Sequence, residues 1–426
     1  MVALLFVILF ALVAIGMNIW LAMGVSGVLY ILIQGEMSLR MVASTMVGGV
    51  DSTTLVAIPF FILAGDLMNR SGITMKLTQL TDYFIGRAKG GLAYVAVVVN
   101  VIVAGVSGSA VADASAVSSV VIPTMLKRGY DRAFAASING AAAVIGPIIP
   151  PSIPMIFIGV ISGISIGKLF LGGVVPGLMM GAMLVVTIFV LSRRRNYPTV
   201  ETKMDLATLK RLIRDSFFAL MAPVIILGGV VFGVVTLVEV SVLAVLYILV
   251  ISVFVYRSIH ISDLPGIFMH SAVFSAAIMI IFAVVGLYQY IVAYEQLGEQ
   301  LGQLIPALQL SKVSFLLLVN IFFLVMGCIL DAVPVMLIFF PVLLPTAIEL
   351  GVDPTHFGVI VVLNLMIGLL TPPIGVLLFL ECKIAEIGFA ELIREVWPFV
   401  LALLVVLVLC TYIPGLVMWL PNLVLG

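Results

Sequence analysis

The sequence predicts an all-α polytopic membrane protein, an inverted repeat with two re-entrant hairpins and two broken helices. Three observations predict it. Of 426 residues, 63% are hydrophobic and 9% charged, far outside the range of soluble domains. A proline-rich break, Gly146-Pro147-Ile148-Ile149-Pro150-Pro151-Ser152-Ile153-Pro154, interrupts a long apolar run, and a second, Gly368-Leu369-Leu370-Thr371-Pro372-Pro373, lies 222 residues downstream. The turn Lys127–Arg132 carries three basic residues, whereas its counterpart Glu349–His356 carries no Lys or Arg.

Breaks of this kind are costly inside a bilayer. Backbone freed inside a bilayer must be satisfied by protein or by a water-filled cavity. One break alone reads equally well as a kink, since proline is common in membrane helices. Two change the reading. The 222-residue offset also pairs Gly105 with Gly327, Pro123 with Pro345, Thr124 with Thr346, Gly129 with Gly351 and Asp131 with Asp353. Most are glycines and prolines, which set backbone geometry. A second offset of 217 pairs Gly16 with Gly233, and Leu29-Tyr30-Ile31-Leu32 with Leu246-Tyr247-Ile248-Leu249. A duplicated broken helix points to a transporter binding site near the midplane.

Taken in order, residues 1–191 form the first repeat. Val2–Gln34 would be about 50 Å long as one helix, too long for the hydrocarbon core. It is expected to break near Gly16-Met17-Asn18. No basic region precedes it, so Met1 onward reads as a membrane segment rather than a cleaved signal. Glu36–Asp51 is milder and suits the interface, Leu55–Met68 is a short apolar segment, and Asn69–Gly91 reads as interfacial. The hairpin 92–127 is expected to turn within Gly105–Asp113; a continuous helix with a small-residue packing face is the alternative. The broken helix 133–163 and a span over Leu169–Leu191 follow. The polar linker 192–215 contains Arg193-Arg194-Arg195 and reads as cytoplasmic.

Residues 216–426 repeat the plan. Phe217–Tyr256 divides near Gly233–Glu239, and Ser271–Ala293 spans. The hairpin 312–348 has its tip at Gly327–Pro334, the broken helix is 357–382, and Trp397–Leu420 is the last span. Non-crossing hairpins leave five crossings per half, so the halves are inverted. Lys127–Arg132, the linker and Glu381–Glu395 then lie inside; Tyr294–Gln303, Glu349–His356 and both termini lie outside.

Unwound carbonyls and serine or threonine hydroxyls suit small cations, and half-helix N-termini suit anions. Ser107, Ser109 and Ser152 can serve in the first half and Thr371 in the second, against the alternative that each bonds its own helix backbone. Asp113 and Asp331 are candidate membrane acids. For Asp331 a cation ligand, a proton site and a hydrogen-bond anchor all stand. Asp66 and Glu239 read as interfacial, and Asn364 is placed to satisfy freed backbone groups. His260, His270 and His356 fall in or near turns, and Cys328, Cys382 and Cys410 show neither metal nor disulfide spacing. There is no ATP-binding loop, and Gly105-Val106-Ser107-Gly108 lacks the final glycine of a hydrolase elbow. Net charge is zero, so charge balance says nothing about nucleic acid, and no nucleic-acid partner is expected of a polytopic membrane chain. Transport driven by an ion gradient, and no enzyme, is the economical reading.

At these motifs the chain resembles the large membrane subunit of TRAP (tripartite ATP-independent periplasmic) transporters. The likeness is carried by Ile58-Pro59-Phe60-Phe61-Ile62-Leu63-Ala64-Gly65, Ser107-Gly108-Ser109-Ala110-Val111-Ala112-Asp113, Lys127-Arg128-Gly129-Tyr130-Asp131-Arg132-Ala133, the Gly146–Pro154 break and Gly368–Gly375. The resemblance implies an elevator-type transporter of the bacterial inner membrane. It implies sodium-coupled import of an organic-acid anion, of sialic acid or C4-dicarboxylate type. It implies two partners, a small four-helix membrane subunit and a periplasmic solute-binding protein. It also implies at least two Na+ sites: one with Ser107 and carbonyls around Gly146, Ile149 and Pro151, the other with Gly327, Gly368, Thr371 and the backbone near Ile374. Substrate would lie near Ser109, Ser152 and Asp331. No arginine falls at midplane depth to pair with a carboxylate. A single-component dicarboxylate or citrate symporter of related architecture, and a non-transporting membrane subunit, are the competing readings.

Overall fold

The computed structural model describes residues 2–35, 38–195, 197, 199, 205–231, 235–297 and 311–426. Glu36, part of the 192–215 linker, the division at 232–234 and the polar stretch from 298 to 303 lie outside the described residues. Among those described, the chain is all-helical, with no strand.

The first part contains α1 (Val2–Ala14), α2 (Ile19–Gln34), α3 (Arg40–Val50), α4 (Ala57–Arg70), α5 (Ile73–Ile85), α6 (Gly91–Ser107), α7 (Ala110–Lys127), α8 (Arg132–Ala143), α9 (Ile153–Ser162) and α10 (Ile166–Arg194). The second contains α11 (Leu206–Val231), α12 (Leu237–Val250), α13 (Leu264–Tyr294), α14 (Lys312–Ile329), α15 (Ala332–Glu349), α16 (Pro354–Gly368), α17 (Val376–Ala385), α18 (Phe389–Tyr412) and α19 (Gly415–Leu425). Eight described helices are long and apolar enough to cross a membrane, or nine if the bent pair of Arg40–Val50 with Thr53–Arg70 counts as one span. This is a multi-pass membrane protein.

Local chemistry explains the interruptions. The first run breaks at Gly16, which takes φ +92°, a conformation that costs glycine nothing. Residues 40–50 form α3, which packs along α13 and meets α4 at a 60° bend. The last apolar run also differs from expectation. Trp397–Leu420 is not one span: α18 ends at Tyr412 and α19 starts at Gly415. Pro414 restricts the residue before it, and Ile413 leaves the helical region at φ −120°, ψ 80°.

Two helix pairs fold back on themselves. In α6–α7 the Tyr130 hydroxyl, just past the end of α7, lies against the Leu92 backbone at the start of α6. In α14–α15 the Lys312 Nζ donates to the Gly351 carbonyl oxygen at 2.7 Å, which closes the open end. Length and composition alone would count α7, α14 and α15 as separate crossings. The closed ends make each pair an antiparallel helical hairpin. Both pairs end in a left-handed glycine, Gly129 (φ +83°) and Gly351 (φ +71°).

Element boundaries keep the 222-residue separation at Ser107 and Ile329, Ala110 and Ala332, Lys127 and Glu349, and Arg132 and Pro354. Neighbour pairs correspond as well. The α4–α12 and α2–α13 contacts match, as do α8–α18 and α10–α16, and α7–α17 and α9–α15.

One end of the bundle gathers the polar groups. Arg128 makes a bidentate bond to Asp82 at 3.0 and 2.7 Å. The Tyr197 hydroxyl donates to Asp131 at 2.7 Å, Arg195 pairs with Glu395, and Tyr83 donates to the Asp205 carbonyl at 3.0 Å. Bonding to Asp82 holds the Arg128 guanidinium above its ordinary pKa. The Lys127–Arg132 turn, the described linker residues and the Glu386–Glu395 region therefore share one face.

Candidate functional site

The two hairpin tips and the two helix breaks meet around one cleft of about 330 Å³. Hairpin α6–α7 contributes Gly108 and Ser109, and hairpin α14–α15 contributes Asp331. The first break contributes Pro147, the second Leu369, and α13 closes the side with Phe274 and Ile278. Four helices begin there: Ala110, Ile153, Ala332 and Val376, the first residues of α7, α9, α15 and α17, all line the cleft or stand beside a lining residue. Each N-terminus presents unpaired N–H groups and about half a positive charge. No Lys, Arg or His lines the cleft among the described residues; Asp331 is its one ionisable side chain.

Close backbone packing holds the tips against the breaks. Gly108 turns at φ +60°, and a Cβ there would meet the Pro151 carbonyl oxygen. On the other side a Cβ on Gly368 would stand 2.7 Å from the Gly327 backbone, and the Gly375 N–H donates to the Cys328 carbonyl at 3.2 Å. Pro150-Pro151 and Pro372-Pro373 are both cis. Helix α10 supports the first break with Gly173 against the Ile148 carbonyl and Gly177 against the Ile149 side chain.

Behind the first tip, Ser107 donates to Asp113 Oδ1. Asp113 is fully buried, its Oδ2 has no protein partner among the described residues, and that oxygen faces Gly146. Ser107 and Gly146 are thus brought together on a carboxylate, with Pro151 adjoining the same tip through Gly108. Ile149 is nearly buried against α10. On the opposite side Gly327 and Gly368 touch. Thr371 lies nearby, its hydroxyl donating to the Ile367 carbonyl at 2.7 Å, while Ile374 is largely exposed.

The residues expected around a substrate separate. Ser109 and Asp331 line the cleft. Ser109 caps α7 through the Ala112 N–H at 3.4 Å, and Asp331 caps α15 through the Val333 N–H at 2.9 Å. Ser152 does not line it. It is fully buried, donates to the Pro147 carbonyl and accepts from the Met155 N–H at 3.2 Å, so it braces the break. Asn364 does not serve freed backbone groups either. It donates to Asn320 Oδ1 at 2.8 Å and to the Ile360 carbonyl at 2.9 Å within its own helix, and Asn320 bonds Thr411 at 3.0 Å.

One side chain escapes sequence reasoning altogether. Glu381 opens a charged segment, yet it is fully buried where α17 packs on α7 and α8. Ser118 donates to its Oε1 at 2.7 Å, Oε2 has no partner among the described residues, and Gly140 makes room for its side chain. The only local signal is the apolar run Val376–Leu380 just before it. Glu381→Gln keeps the Ser118 bond and is expected to change stability by less than about 1 kcal/mol. Glu381→Ala leaves a void and an unpaired hydroxyl, and is expected to cost about 2–4 kcal/mol in thermal unfolding of the purified protein. Equal melting temperatures for the two variants would remove Glu381 from the packing argument.

With this geometry established, the relatives decide the family. The family model of the tripartite ATP-independent periplasmic transporter, DctM component, matches residues 6–416. The chain belongs to that family. It is 36% identical to the C4-dicarboxylate TRAP transporter large permease protein DctM of Pseudomonas aeruginosa, over 94% of each chain. It is 34% identical to the sialic acid TRAP transporter large permease protein SiaM of Vibrio cholerae, over 93% of each. The crystal structure of the Alcanivorax borkumensis YdaH transporter shares the fold at TM-score 0.65 and 13% identity, covering 88% of both chains. The protein is therefore a large TRAP permease subunit, and the cleft lies in a transporter permease.

Proposed function

We propose that this TRAP permease imports an organic-acid anion, of sialic acid or C4-dicarboxylate type, across the bacterial inner membrane, driven by sodium. The observation that carries the reading is the convergence of four helix N-termini on one cleft that lacks basic side chains. Such a cleft favours an anion through backbone dipoles.

Sodium would occupy two sites flanking the cleft. Ser107, the Asp113 carboxylate and carbonyls around Gly146, Ile149 and Pro151 offer hard oxygens for one. The buried, unpartnered Asp113 Oδ2 supports a cation there. Gly327, Gly368, Thr371 and the backbone near Ile374 offer the other. Ser109 and Asp331 would contact the cargo, with Ser152 bracing the first break. We read residues 1–191 and 216–426 as inverted repeats joined by the 192–215 linker. The hairpins and broken helices would form the moving body of an elevator, and α2–α4 with α11–α13 its scaffold. The matching element boundaries and neighbour pairs support that division. The family supports a small membrane subunit and a periplasmic solute-binding protein as partners.

The test is uptake of radiolabelled sialic acid and succinate into proteoliposomes holding this chain, its small subunit and the neighbouring binding protein. Uptake is expected only with an inward sodium gradient and the binding protein together. Sodium-driven uptake without the binding protein would replace this reading by a single-component symporter, and uptake indifferent to sodium would remove the coupling.

A further inference from the structure

Basic side chains are absent from the cleft lining but not from its rim. On α13, His270, Phe274 and Ile278 stand four residues apart and share one stripe, and the last two line the cleft. Along that stripe burial gives way to exposure, from buried Ile278 through half-exposed Phe274 to exposed His270, so it runs outward. Across from it on α4 lies Asp66, beside Gly65, which packs on Ser107 of the first tip. Asp66 therefore stands near the level of the tip rather than in a separate interfacial segment. Its carboxylate meets Arg70 Nε at 3.0 Å, His270 Nδ1 at 3.1 Å and the Ser271 hydroxyl at 3.3 Å. The acid is the covered member of the cluster: its side chain is 15% exposed, against 49% for Arg70 and 66% for His270. Both Arg70 Nη groups and His270 Nε2 have no protein partner among the described residues. With the imidazole protonated, one carboxylate orients two cations and leaves a net positive charge on the open side. At membrane depth such charges face a bundle interior or water rather than lipid. The direction is that of the linker, because α13 begins just past Tyr256, whose hydroxyl donates to the Asp215 carbonyl at 2.7 Å.

Resting on the anion-import reading above, we propose that Arg70 and His270 form an exit station, a second and shallower carboxylate site on the linker side of the cleft that receives the cargo anion as it leaves the helix N-termini. The free Arg70 fork matches a carboxylate with two parallel N–H bonds, and protonated His270 adds its Nε2–H. The Asp66 carboxylate holds both groups in place from behind. The station lies on α4 and α13, within the scaffold, so it stays fixed while the hairpins move. Because its cations are exposed, it attracts anions at short range, holds them weakly and is screened by salt. Weak holding suits a site that passes its ligand on. Unlike the cleft, which sodium would flank, the station needs no sodium.

The experiment is succinate binding to the purified permease with its small subunit, read by saturation-transfer NMR in sodium-free choline buffer at mildly acid pH, where imidazole is protonated. The wild-type protein is expected to bind succinate there, with affinity falling about threefold or more as salt is raised from low to physiological strength. The double variant Arg70→Gln, His270→Gln is expected to lose this binding. In proteoliposomes it should lower maximal sodium-driven uptake by about threefold or more and leave the half-saturating sodium concentration unchanged. Arg70→Lys with His270→Lys keeps the charges and changes the shapes, so it should restore most of that uptake, which a packing role would not allow. No succinate binding by the wild type without sodium, or equal binding by the double glutamine variant, would overturn the station and leave anion import standing. Failure of the wild type to take up either sialic acid or succinate would remove the import reading, and the exit role with it.

Discussion

Gly108→Ala is expected to abolish uptake and to destabilise the permease by about 3 kcal/mol. Two costs combine. Gly108 sits at φ +60°, where a Cβ is strained in any surroundings, and that Cβ would press on the Pro151 carbonyl oxygen. The neighbour is backbone of a break held by Ser152 and α10, so it has little freedom to yield. Either the tip lifts from the break or the break distorts, and both open the wall behind the cleft. Gly163→Ala isolates the first cost. Gly163 takes φ +72°, but a Cβ there would meet nothing within 4 Å, so this variant should lose only about 1 kcal/mol and keep uptake. Comparable uptake by the two variants would show that the contact between tip and break is dispensable. Gly368→Ala tests the other side, where the Gly327 backbone is the obstacle, and should resemble Gly108→Ala.

Asp113→Asn is the second large effect. The side chain keeps its shape, and its amide oxygen can still accept from Ser107. What disappears is the capacity to carry a negative charge, in a buried site with no basic partner among the described residues. If that charge helps hold sodium beside Ser107 and Gly146, the sodium concentration for half-maximal uptake should rise about tenfold or more. Maximal uptake at saturating sodium should fall less. Uptake measured against sodium at fixed substrate checks this. An unchanged sodium dependence in a well-folded variant would assign Asp113 to packing of the hairpin.

Several features were legible because they are local. Gly108, Gly129, Gly351 and the paired prolines set backbone geometry through their own covalent structure, wherever the neighbours lie. The hairpins, the breaks and the divided first segment could therefore be located from residues alone. The split at Pro414 was legible on the same grounds, but the high hydropathy on both sides hid it.

Side-chain partnerships were not legible. Ser107 and Ser152 look alike in sequence, each a hydroxyl beside a glycine or proline. One donates to a carboxylate six residues on, and the other to a carbonyl five residues back. Glu381 reads as part of a charged surface segment, and only the approach of α7 and α8 buries it.

The sequence by itself determined a membrane protein with two hairpins, two breaks and a 222-residue correspondence between them. Composition settles the solvent, and glycine and proline settle where helices stop. Only the tertiary structure decided that both tips and both breaks share one cleft, that Asp331 enters it while Ser152 stands behind, and that Asp113 and Glu381 are buried without basic partners among the described residues. Those outcomes depend on contacts between residues up to 263 positions apart. A periodicity or a motif carries no information about which distant faces meet.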